Sequence, residues 1–432
     1  MADIISEYEE KLPPKVVEEI RSNLPKGISE AKLKKIMEAI CEEYKNARVH
    51  PGESVGLISA ESIGEPGTQM SIPFSEKIII RIDNKIKILE IGKIVDRLIE
   101  LKGCFKFNDT EILPLNDLKI YVPSLNQEEK IEWKRVLECS RHKTPEKLIK
   151  ITTASGREII ATDNHSFVTR INNYITPVRG DNLKIGNRIP VINNFFAESE
   201  LKEIKINEEN IPETRAKPIR NSINLDRLTG LFIGAYLAEG FTNTFSFSVS
   251  NIDDGYIKNA KEFISSLGLS YIEQLQNRGF AYGRDLKVNS ALLSRFIAIS
   301  CGMGSTYKRV PDFAYSASNE FVSGLLKGYF DGDGNFHVDR NMIRVSSNSK
   351  ELINGISLLL SRFKIFSFKV KDKKRQHWLL IPYKYAPLFL AYIGSDIESK
   401  RKSLEELAEK AGMFWNKASQ DYTDVISGFG RR

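Results

Sequence analysis

The spacing of hydrophobic positions changes along the chain and divides it into segments. Over residues 29–44 apolar residues recur every 3.6 residues, which predicts an amphipathic helix with Ser29 as its N-cap. From residue 71 apolar and polar residues alternate, so strands are expected over 78–88 around a turn at Asp83-Asn84. A second hairpin is predicted over 148–161. The chain therefore passes from a helical segment into a β-rich module.

An internal repeat follows the β-rich module. The segment LTGLFIGAYLAEG (228–240) aligns without a gap with VSGLLKGYFDGDG (322–334), at an offset of 94 residues. Each copy reads as a helix with glycines four residues apart on one face, which lets two helix backbones approach closely. Each helix ends in an acid followed by glycine, and these acids are Glu239 and Asp333.

Side-by-side packing of the two helices would bring Glu239 and Asp333 to the same end. Two carboxylates there repel each other and oppose the negative ends of the helix dipoles, a cost that a divalent metal ion would relieve. A strand, an amphipathic helix and another strand follow each copy. Basic residues fall on the predicted strands and turns and are candidates for phosphate contacts: Arg278, Arg284, Lys287, Lys369, Lys371, Lys373, Lys374 and Arg375.

Composition narrows the class of protein. The chain has 432 residues and a net charge of +7, with 63 basic and 56 acidic side chains. Residues 1–70 carry −4 and the remainder +11, so the basic excess, which is compatible with a polyanionic partner, lies downstream of the first segment. No apolar run is long enough for a membrane span, the first residues are too acidic for a signal peptide, and the four cysteines are far apart. A cytoplasmic protein is expected.

The glycine- and proline-rich segment before residue 71 carries a specific motif. PGESVGLISAESIGEPGTQM closely resembles the segment leading into the trigger loop of the largest subunit of cellular RNA polymerases. The helical start before it is similar to the archaeal split form of that protein, the A double-prime polypeptide. The resemblance covers residues 1–70 and implies assembly with other polymerase subunits, but the expected trigger-loop sequence does not follow Met70.

The sequence that replaces the trigger loop resembles the N-terminal part of an intein. Ser71 stands at the first intein position, and ATDNHSFV matches the Thr-x-x-His pattern of the second splicing block through Thr162 and His165. A serine hydroxyl can attack the preceding carbonyl and convert the Met70–Ser71 amide into an ester. His165 would protonate the departing amide nitrogen, and Thr162 would hold the scissile carbonyl or the developing oxyanion.

The repeat resembles the single-chain LAGLIDADG homing endonucleases. The resemblance implies that Glu239 and Asp333 bind Mg²⁺ and activate water for phosphodiester hydrolysis, each serving one strand of duplex DNA. It also implies a saddle of strands in the major groove of the target. YKRVPDF is similar to the family's intervening lysine block, which makes Lys308 a candidate for orienting water or stabilising transition-state charge.

The expected fold class is α+β: a short helical polymerase segment, a β-rich Hint-type splicing module and a two-repeat αββαββα endonuclease. The predicted domains are residues 1–70, 71–200, 220–395 and a truncated extension over 396–432, in which a helix is expected over 403–411. Residues 101–147 show no pattern that assigns them. A C-terminal splicing segment ending in Asn is not visible, since Asn416 is followed by Lys417, so either a truncated sequence or half of a split intein is expected.

Three functions remain open from the sequence. The leading hypothesis is an incomplete intein precursor with splicing chemistry at Ser71 and metal-dependent double-strand cleavage of the intein-free gene. The second is a non-catalytic DNA-binding protein on a LAGLIDADG scaffold, and the paired acids Glu239 and Asp333 favour the enzyme over it. The third, a polymerase subunit fragment working as such, fits worst because the trigger-loop continuation is absent.

Overall fold

A computed structural model divides the chain into two units, residues 1–68 and 69–432. It describes residues 5, 8, 11–25, 28–46, 70–126, 128–143, 147–171, 174–192, 194, 200–206, 222–277, 282–372 and 376–415. Most of the polymerase-like motif therefore lies outside the described residues. The same is true of Arg278, Lys373, Lys374, Arg375, Asn416 and Lys417.

Among its described residues the first unit contains the helices α1 (Pro14–Asn23) and α2 (Glu30–Asn46). The predicted helix is confirmed in α2, where Leu33 and Met37 are fully buried. Ile36, one of the apolar positions of the predicted helix over residues 29–44, is instead 38% exposed. It lies one residue before Met37, about 100° around the helix, at the margin of the buried face.

The second unit begins with the predicted β-rich module. Its first hairpin turns at Asp83 and Asn84, whose φ angles of 48° and 63° are those of a type I′ turn. The predicted hairpin at 148–161 is also present, and Gly156 in its turn has φ of 75°. Ile80 and Ile86 of the first hairpin are buried in the core.

Residues 101–147, which the sequence left unassigned, continue this module; their described part forms the end of a helix and five short strands. The helix α3 and strands β4 and β5 enclose a small core of Val95, Ile99, Leu113, Leu115 and Ile120. The sheets have the orders β2-β1-β5-β6, β3-β4-β7, β8-β9 and β10-β11. The elements are β1 (Lys77–Ile82), β2 (Lys85–Glu90), α3 (Ile91–Lys102), β3 (Phe105–Phe107), β4 (Thr110–Pro114), β5 (Ile120–Leu125), β6 (Ile131–Arg135), β7 (Glu138–His142), β8 (Leu148–Thr152), β9 (Glu158–Thr162), β10 (Ser166–Ile171) and β11 (Tyr174–Arg179).

The two sequence repeats fold alike, each as a long helix, a four-stranded antiparallel sheet and a helix against that sheet. The sheets have the orders β14-β15-β17-β16 and β18-β19-β21-β20. The elements are β12 (Glu203–Lys205), β13 (Ser222–Asn224), α4 (Arg227–Glu239), β14 (Gly240–Thr242), β15 (Ser246–Asn251), α5 (Asp254–Ser266), β16 (Ile272–Asn277), β17 (Tyr282–Asn289), α6 (Ala291–Cys301), α7 (Gly304–Tyr307), α8 (Asn319–Asp333), β18 (Asn335–His337), β19 (Met342–Ser347), α9 (Lys350–Ser361), β20 (Phe368–Lys371), β21 (His377–Pro382), α10 (Ala386–Tyr392) and α11 (Glu398–Trp415).

Helices α4 and α8 pack against each other through their glycines. A Cβ atom placed on Gly234 would lie 2.1 Å from the carbonyl oxygen of Leu325, and one on Gly328 would lie 2.3 Å from that of Leu231. Gly230 and Gly324 make equivalent contacts. The two backbones therefore touch, as the four-residue spacing of the glycines predicted.

The last described helix, α11, extends the expected helix of residues 403–411 at both ends. Leu404 and Leu407 lie fully buried in the main core, which joins this helix to the second repeat. In the part of the chain that the structure describes, no helix has the length and apolar character required to cross a membrane.

The glycine contact leads to a stability prediction. We expect Gly234→Ala to lower the free energy of unfolding by about 1–3 kcal/mol or more, because its Cβ would overlap a backbone carbonyl that has little room to move. Gly412→Ala in α11 is the control, since a Cβ there meets nothing within 4 Å and alanine favours a helix by about 1 kcal/mol. Chemical denaturation measures both, and equal stability of the two variants would contradict the packing.

Candidate functional site

The two acids of the repeats lie at adjacent helix ends. Glu239 ends α4 and Asp333 ends α8, and a Cβ atom on Gly332 would lie 3.5 Å from Cγ of Glu239. Both side chains are exposed. The glycines that follow them, Gly240 and Gly334, have ordinary extended φ angles of −80° and −71°. Glycine is required there because a Cβ atom would overlap the preceding helical turn.

Electrostatics at this end favour the binding of a proton or a cation. Partial burial and the neighbouring charge of Glu239 raise the pKa of Asp333 to about 6, against the opposing effect of Lys308 and Lys400. Because both acids are exposed, solvent screens part of this repulsion. Within the described residues no group of three or more acidic, histidine or cysteine side chains could hold a metal. The acid pair would therefore leave much of a cation's coordination sphere to other ligands.

Two lysines cap the carbonyl ends of the two helices. Lys308, the predicted lysine, is buried, and its Nζ donates to the carbonyl oxygen of Ala238 in α4 at 3.2 Å. Lys400 of α11 donates to the carbonyl oxygens of Phe330, Asp331 and Gly332 at 3.1, 2.6 and 3.1 Å. Each ammonium group stabilises the negative end of a helix dipole, and burial lowers the pKa of each. No local pattern in the sequence indicated Lys400.

A buried acid in the second repeat has no counterpart in the first. Asp331 is 3% exposed, and its carboxylate accepts hydrogen bonds from the hydroxyl of Ser395 and, at 3.0 Å, from the amide of Asp396. The position 94 residues earlier is Leu237. Asp331 thus anchors the segment that leads into α11. The unmatched acid was visible in the repeat alignment, but its anchoring role was not.

The strand register separates the basic residues of the first sheet. Leu286 and Val288 of β17 are buried against the helices, and Lys287 between them points to the opposite, outward face. Arg284 lies on the helix side, where its guanidinium group is 2.8 Å from the carboxylate of Asp254 in α5. Lys287 is therefore placed to meet an external ligand, whereas Arg284 already has a protein partner.

The same analysis applies to the second sheet. Lys369 pairs with the buried Leu379 across the strands, so it shares the helix side, and its Nζ donates to Asn354 of α9 at 2.7 Å. Lys371 follows the same parity. Arg344 of β19, which the sequence analysis did not select, lies on the outward face. The DNA-contact roles of these basic residues stay predictions, because strand parity places only some of them on the outward face.

The predicted splicing residues meet at the start of the β-rich module. The amide of Ser71 donates to Oγ1 of Thr162 at 3.1 Å, and the amide of Thr162 donates to the carbonyl oxygen of Ser71 at 2.9 Å. Thr162 is 1% exposed. Its hydroxyl is thus held at the nitrogen of the Met70–Ser71 amide, while its predicted contact with the scissile carbonyl stays a prediction.

His165 follows in the turn after β9. Its amide donates to the carbonyl oxygen of Thr162 at 3.1 Å, and its own carbonyl oxygen accepts from Gly180 at 2.8 Å. Burial lowers the pKa of His165, so the neutral ring is favoured. Its Nδ1 is buried and has no hydrogen-bond partner within the described residues. The ring therefore has a buried nitrogen without a partner among the described residues, and its role at the junction stays a prediction.

Comparison with known proteins identifies the parts of the chain. Residues 16–230 match the model of RNA polymerase Rpb1, domain 5, and residues 320–412 match that of the LAGLIDADG-like domain. The DNA-directed RNA polymerase subunit Rpo1C of Methanocaldococcus jannaschii is 45% identical over 399 residues, covering 90% of this chain and 46% of that protein. The chain is an RNA polymerase largest-subunit segment that carries an intein with a LAGLIDADG domain. The α+β fold class expected from the sequence is confirmed.

Other proteins are also similar to this chain. Transcription initiation factor IIB of the same organism is 26% identical over 381 residues, covering 85% of this chain and 50% of that protein. The chain thus spans about half the length of each of these relatives. A crystal structure of the transcription factor IIB Mvu mini-intein is 30% identical, covers 27% of this chain and 65% of that one, and has a TM-score of 0.25. The structure of I-DmoI in complex with DNA and Mn is 13% identical, covers 39% of this chain and 97% of that one, and has a TM-score of 0.32.

The acid pair of the LAGLIDADG domain leads to a pH prediction. Asp333 is expected to gain a proton as the pH falls through about 6, so cation binding should weaken below that pH. Glu239→Gln removes the repulsion and should move the Asp333 midpoint to lower pH. Carboxyl ¹³C NMR, assigned with Asp333→Asn, measures the midpoint, and an unchanged midpoint in Glu239→Gln would contradict the coupling.

Proposed function

We propose that the intein carries out two reactions: an N–O acyl shift at Ser71, and Mg²⁺-dependent, site-specific cleavage of both strands of a DNA duplex. The proposed domains are a splicing module over 71–200 and an endonuclease over 220–395. The observation that carries the nuclease function is the adjacency of Glu239 and Asp333 at the ends of two helices in backbone contact. The proposed partners are duplex DNA and, for a spliced product, other RNA polymerase subunits.

Each charged residue of the proposed cleavage site has a distinct role. Glu239 and Asp333 would hold Mg²⁺, and their mutual repulsion fits them to a cation. When bound, the ion supplies Lewis acidity toward the scissile phosphate and lowers the pKa of water. The ammonium group of Lys308 donates one hydrogen bond to the carbonyl oxygen of Ala238. Its other N–H groups can orient water or stabilise charge on the phosphate. Lys400 holds the carbonyl end of α8 and thereby positions Asp333.

The splicing step follows from the Ser71–Thr162 pair. Oγ of Ser71 attacks the carbonyl carbon of Met70, a C–O bond forms, and the C–N bond of the junction breaks. The hydroxyl proton ends on the amide nitrogen of Ser71, which becomes a free amine. Oγ1 of Thr162 holds that nitrogen, and the unpartnered Nδ1 of His165 is the group proposed to transfer the proton.

The alternative is a DNA-binding protein that does not cut. The exposed basic side chain of Lys287 would serve that function equally well. Retention of both carboxylates at one exposed end favours cleavage, because a protein that only bound phosphate would be weakened by two negative charges there. Measuring binding and cleavage of the same duplex distinguishes the two.

Cleavage is tested on a duplex that encodes the polymerase gene without the intein. With Mg²⁺ we expect cutting of both strands, reduced at least about a hundredfold in Glu239→Gln and in Asp333→Asn, because each variant removes a metal ligand. The matched control is Glu262→Gln, an exposed acid on α5. Gel analysis of the products measures the rate. Binding without cutting, unchanged in both variants, would contradict the nuclease function.

The acyl shift is tested with hydroxylamine, which cleaves esters and leaves amides intact. Mass spectrometry should detect a fragment ending at Met70 in the wild-type chain and none in Ser71→Ala. Thr162→Ala should reduce the yield about tenfold or more, and Thr162→Ser should largely restore it because the hydroxyl is kept. Ser75→Ala, an exposed serine nearby, is the control. Equal cleavage in Ser71→Ala would exclude ester formation at this residue.

A further inference from the structure

The two packed helices carry different side chains at two matched positions. Helix α8 has Lys327 and Asp331 where α4, 94 residues earlier, has Ile233 and Leu237. All four side chains are buried. A buried charge costs free energy that an apolar side chain does not, and the first repeat packs its helix with the apolar pair. Packing of the helices therefore does not account for the charged residues of α8.

Both charged side chains hold the segment that leads into α11. The two carboxylate oxygens of Asp331 accept hydrogen bonds from the hydroxyl of Ser395 and, at 3.0 Å, from the amide of Asp396. The ammonium group of Lys327 pairs with the carboxylate of Asp396. These four residues are called the α11 anchor. Both oxygens of Asp331 thus have protein partners, and its side chain is only 3% exposed.

The anchor determines where α11 begins and hence where Lys400 lies. Helix α11 starts at Glu398, two residues after the anchor, and Lys400 is in its first turn. Nζ of Lys400 donates to the carbonyl oxygen of Asp331 at 2.6 Å and to that of Gly332 at 3.1 Å. Asp331 therefore meets α11 twice, through its side chain at the start of the helix and through its carbonyl group at Lys400.

Lys400 takes the place in the second repeat that Lys308 takes in the first. Lys308 donates to the carbonyl oxygen of Ala238 at 3.2 Å. The residue 94 positions after Ala238 is Gly332, one of the acceptors of Lys400. The backbone of Lys308 is held differently, because its carbonyl oxygen accepts from the hydroxyl of Ser349 at 2.6 Å. The two lysines thus stand at matched carbonyl groups but are held by unrelated contacts.

We infer that Asp331 is a positioning residue for DNA cleavage and that it acts on one of the two strands. It holds α11 against α8 and so keeps the ammonium group of Lys400 at the end of the helix that carries Asp333. The two strands of a duplex are related by two-fold symmetry, as two matched protein halves are, so each helix end is expected to meet one strand. This inference rests on the proposed function, since it assumes that the chain cuts duplex DNA.

The position of Lys400 is measured without DNA or metal. The full chain is treated briefly with acetic anhydride, which acylates accessible amines, and mass spectrometry gives the rate at each lysine. The amide nitrogen in Asp331→Asn cannot accept a hydrogen bond, so the start of α11 is held less firmly. We expect Lys400 to react about tenfold faster in this variant and Lys308 to change by less than about twofold.

Cleavage of each strand is measured separately on a supercoiled plasmid that carries the intein-free site. In Mg²⁺ the wild-type chain should produce linear DNA. Asp331→Asn should accumulate nicked circles, because a small displacement at one helix end should slow one strand at least about tenfold and the other by less than about twofold. Labelling each strand of a linear duplex identifies the slow one. It should be the strand that Lys400→Met also slows, and Lys308→Met should slow the opposite strand.

The matched control is Ser357→Ala in the second repeat. The hydroxyl of Ser357 lies 2.9 Å from that of Ser367 and both residues are buried, so this variant loses a buried hydrogen bond outside the anchor. It should leave the reactivity of Lys400 and the ratio of the two strand rates unchanged. Ser395→Ala, which removes one donor to Asp331, is the second variant if Asp331→Asn does not fold. It should slow the same strand by about threefold.

Equal slowing of both strands, or unchanged reactivity of Lys400, would overturn the inference. A wild-type chain that binds the duplex but cuts neither strand would instead contradict the nuclease function, and with it any role of Asp331 in cleavage. The acylation rates would still decide whether Asp331 holds Lys400, so the two failures are distinguishable.

Discussion

Helices α4 and α8 meet backbone to backbone, because glycines on each lie against carbonyl groups of the other. This contact fixes the separation of the helix axes and hence of whatever stands at their ends. The ends of the two helices, and with them Glu239 and Asp333, are therefore kept close to each other, and the charge of Glu239 raises the pKa of Asp333. The sheets start one or two residues after the acids, so the helix contact also fixes where each sheet begins.

The lysines at this end offset the helix dipoles more directly than they offset the acids. Lys308 and Lys400 direct hydrogen bonds to helix carbonyls, and the pKa of Asp333 remains raised in their presence. The lysines thus stabilise the helix ends but leave the negative charge of the carboxylates only partly compensated. A lysine paired tightly with each acid would instead have neutralised its charge and reduced its capacity to hold a cation.

Patterns confined to a short stretch of sequence predicted the structure well. The type I′ turn at Asp83-Asn84 and the glycine-lined helices are each encoded within a few residues. The alignment of the two repeats predicted that Glu239 and Asp333 lie at the same end of the paired helices. The basic residues were harder to place, because a run of charges does not reveal which strand parity faces the helices. Lys400 was not predicted at all, since its contacts lie about 70 residues away in sequence.

The strand β9 connects the two proposed chemistries. Where the β8–β9 turn precedes it, the carbonyl oxygen of Ser155 accepts from the backbone amide of Lys369, and Arg157 donates to the carbonyl oxygen of Ser367, both at the second endonuclease repeat. At its other end Thr162 holds the amide of Ser71. The hairpin that contacts the second repeat at its turn therefore ends, five residues later, at the residue that contacts Ser71. The second repeat and the splicing residues thus contact opposite ends of one strand, within a single hairpin.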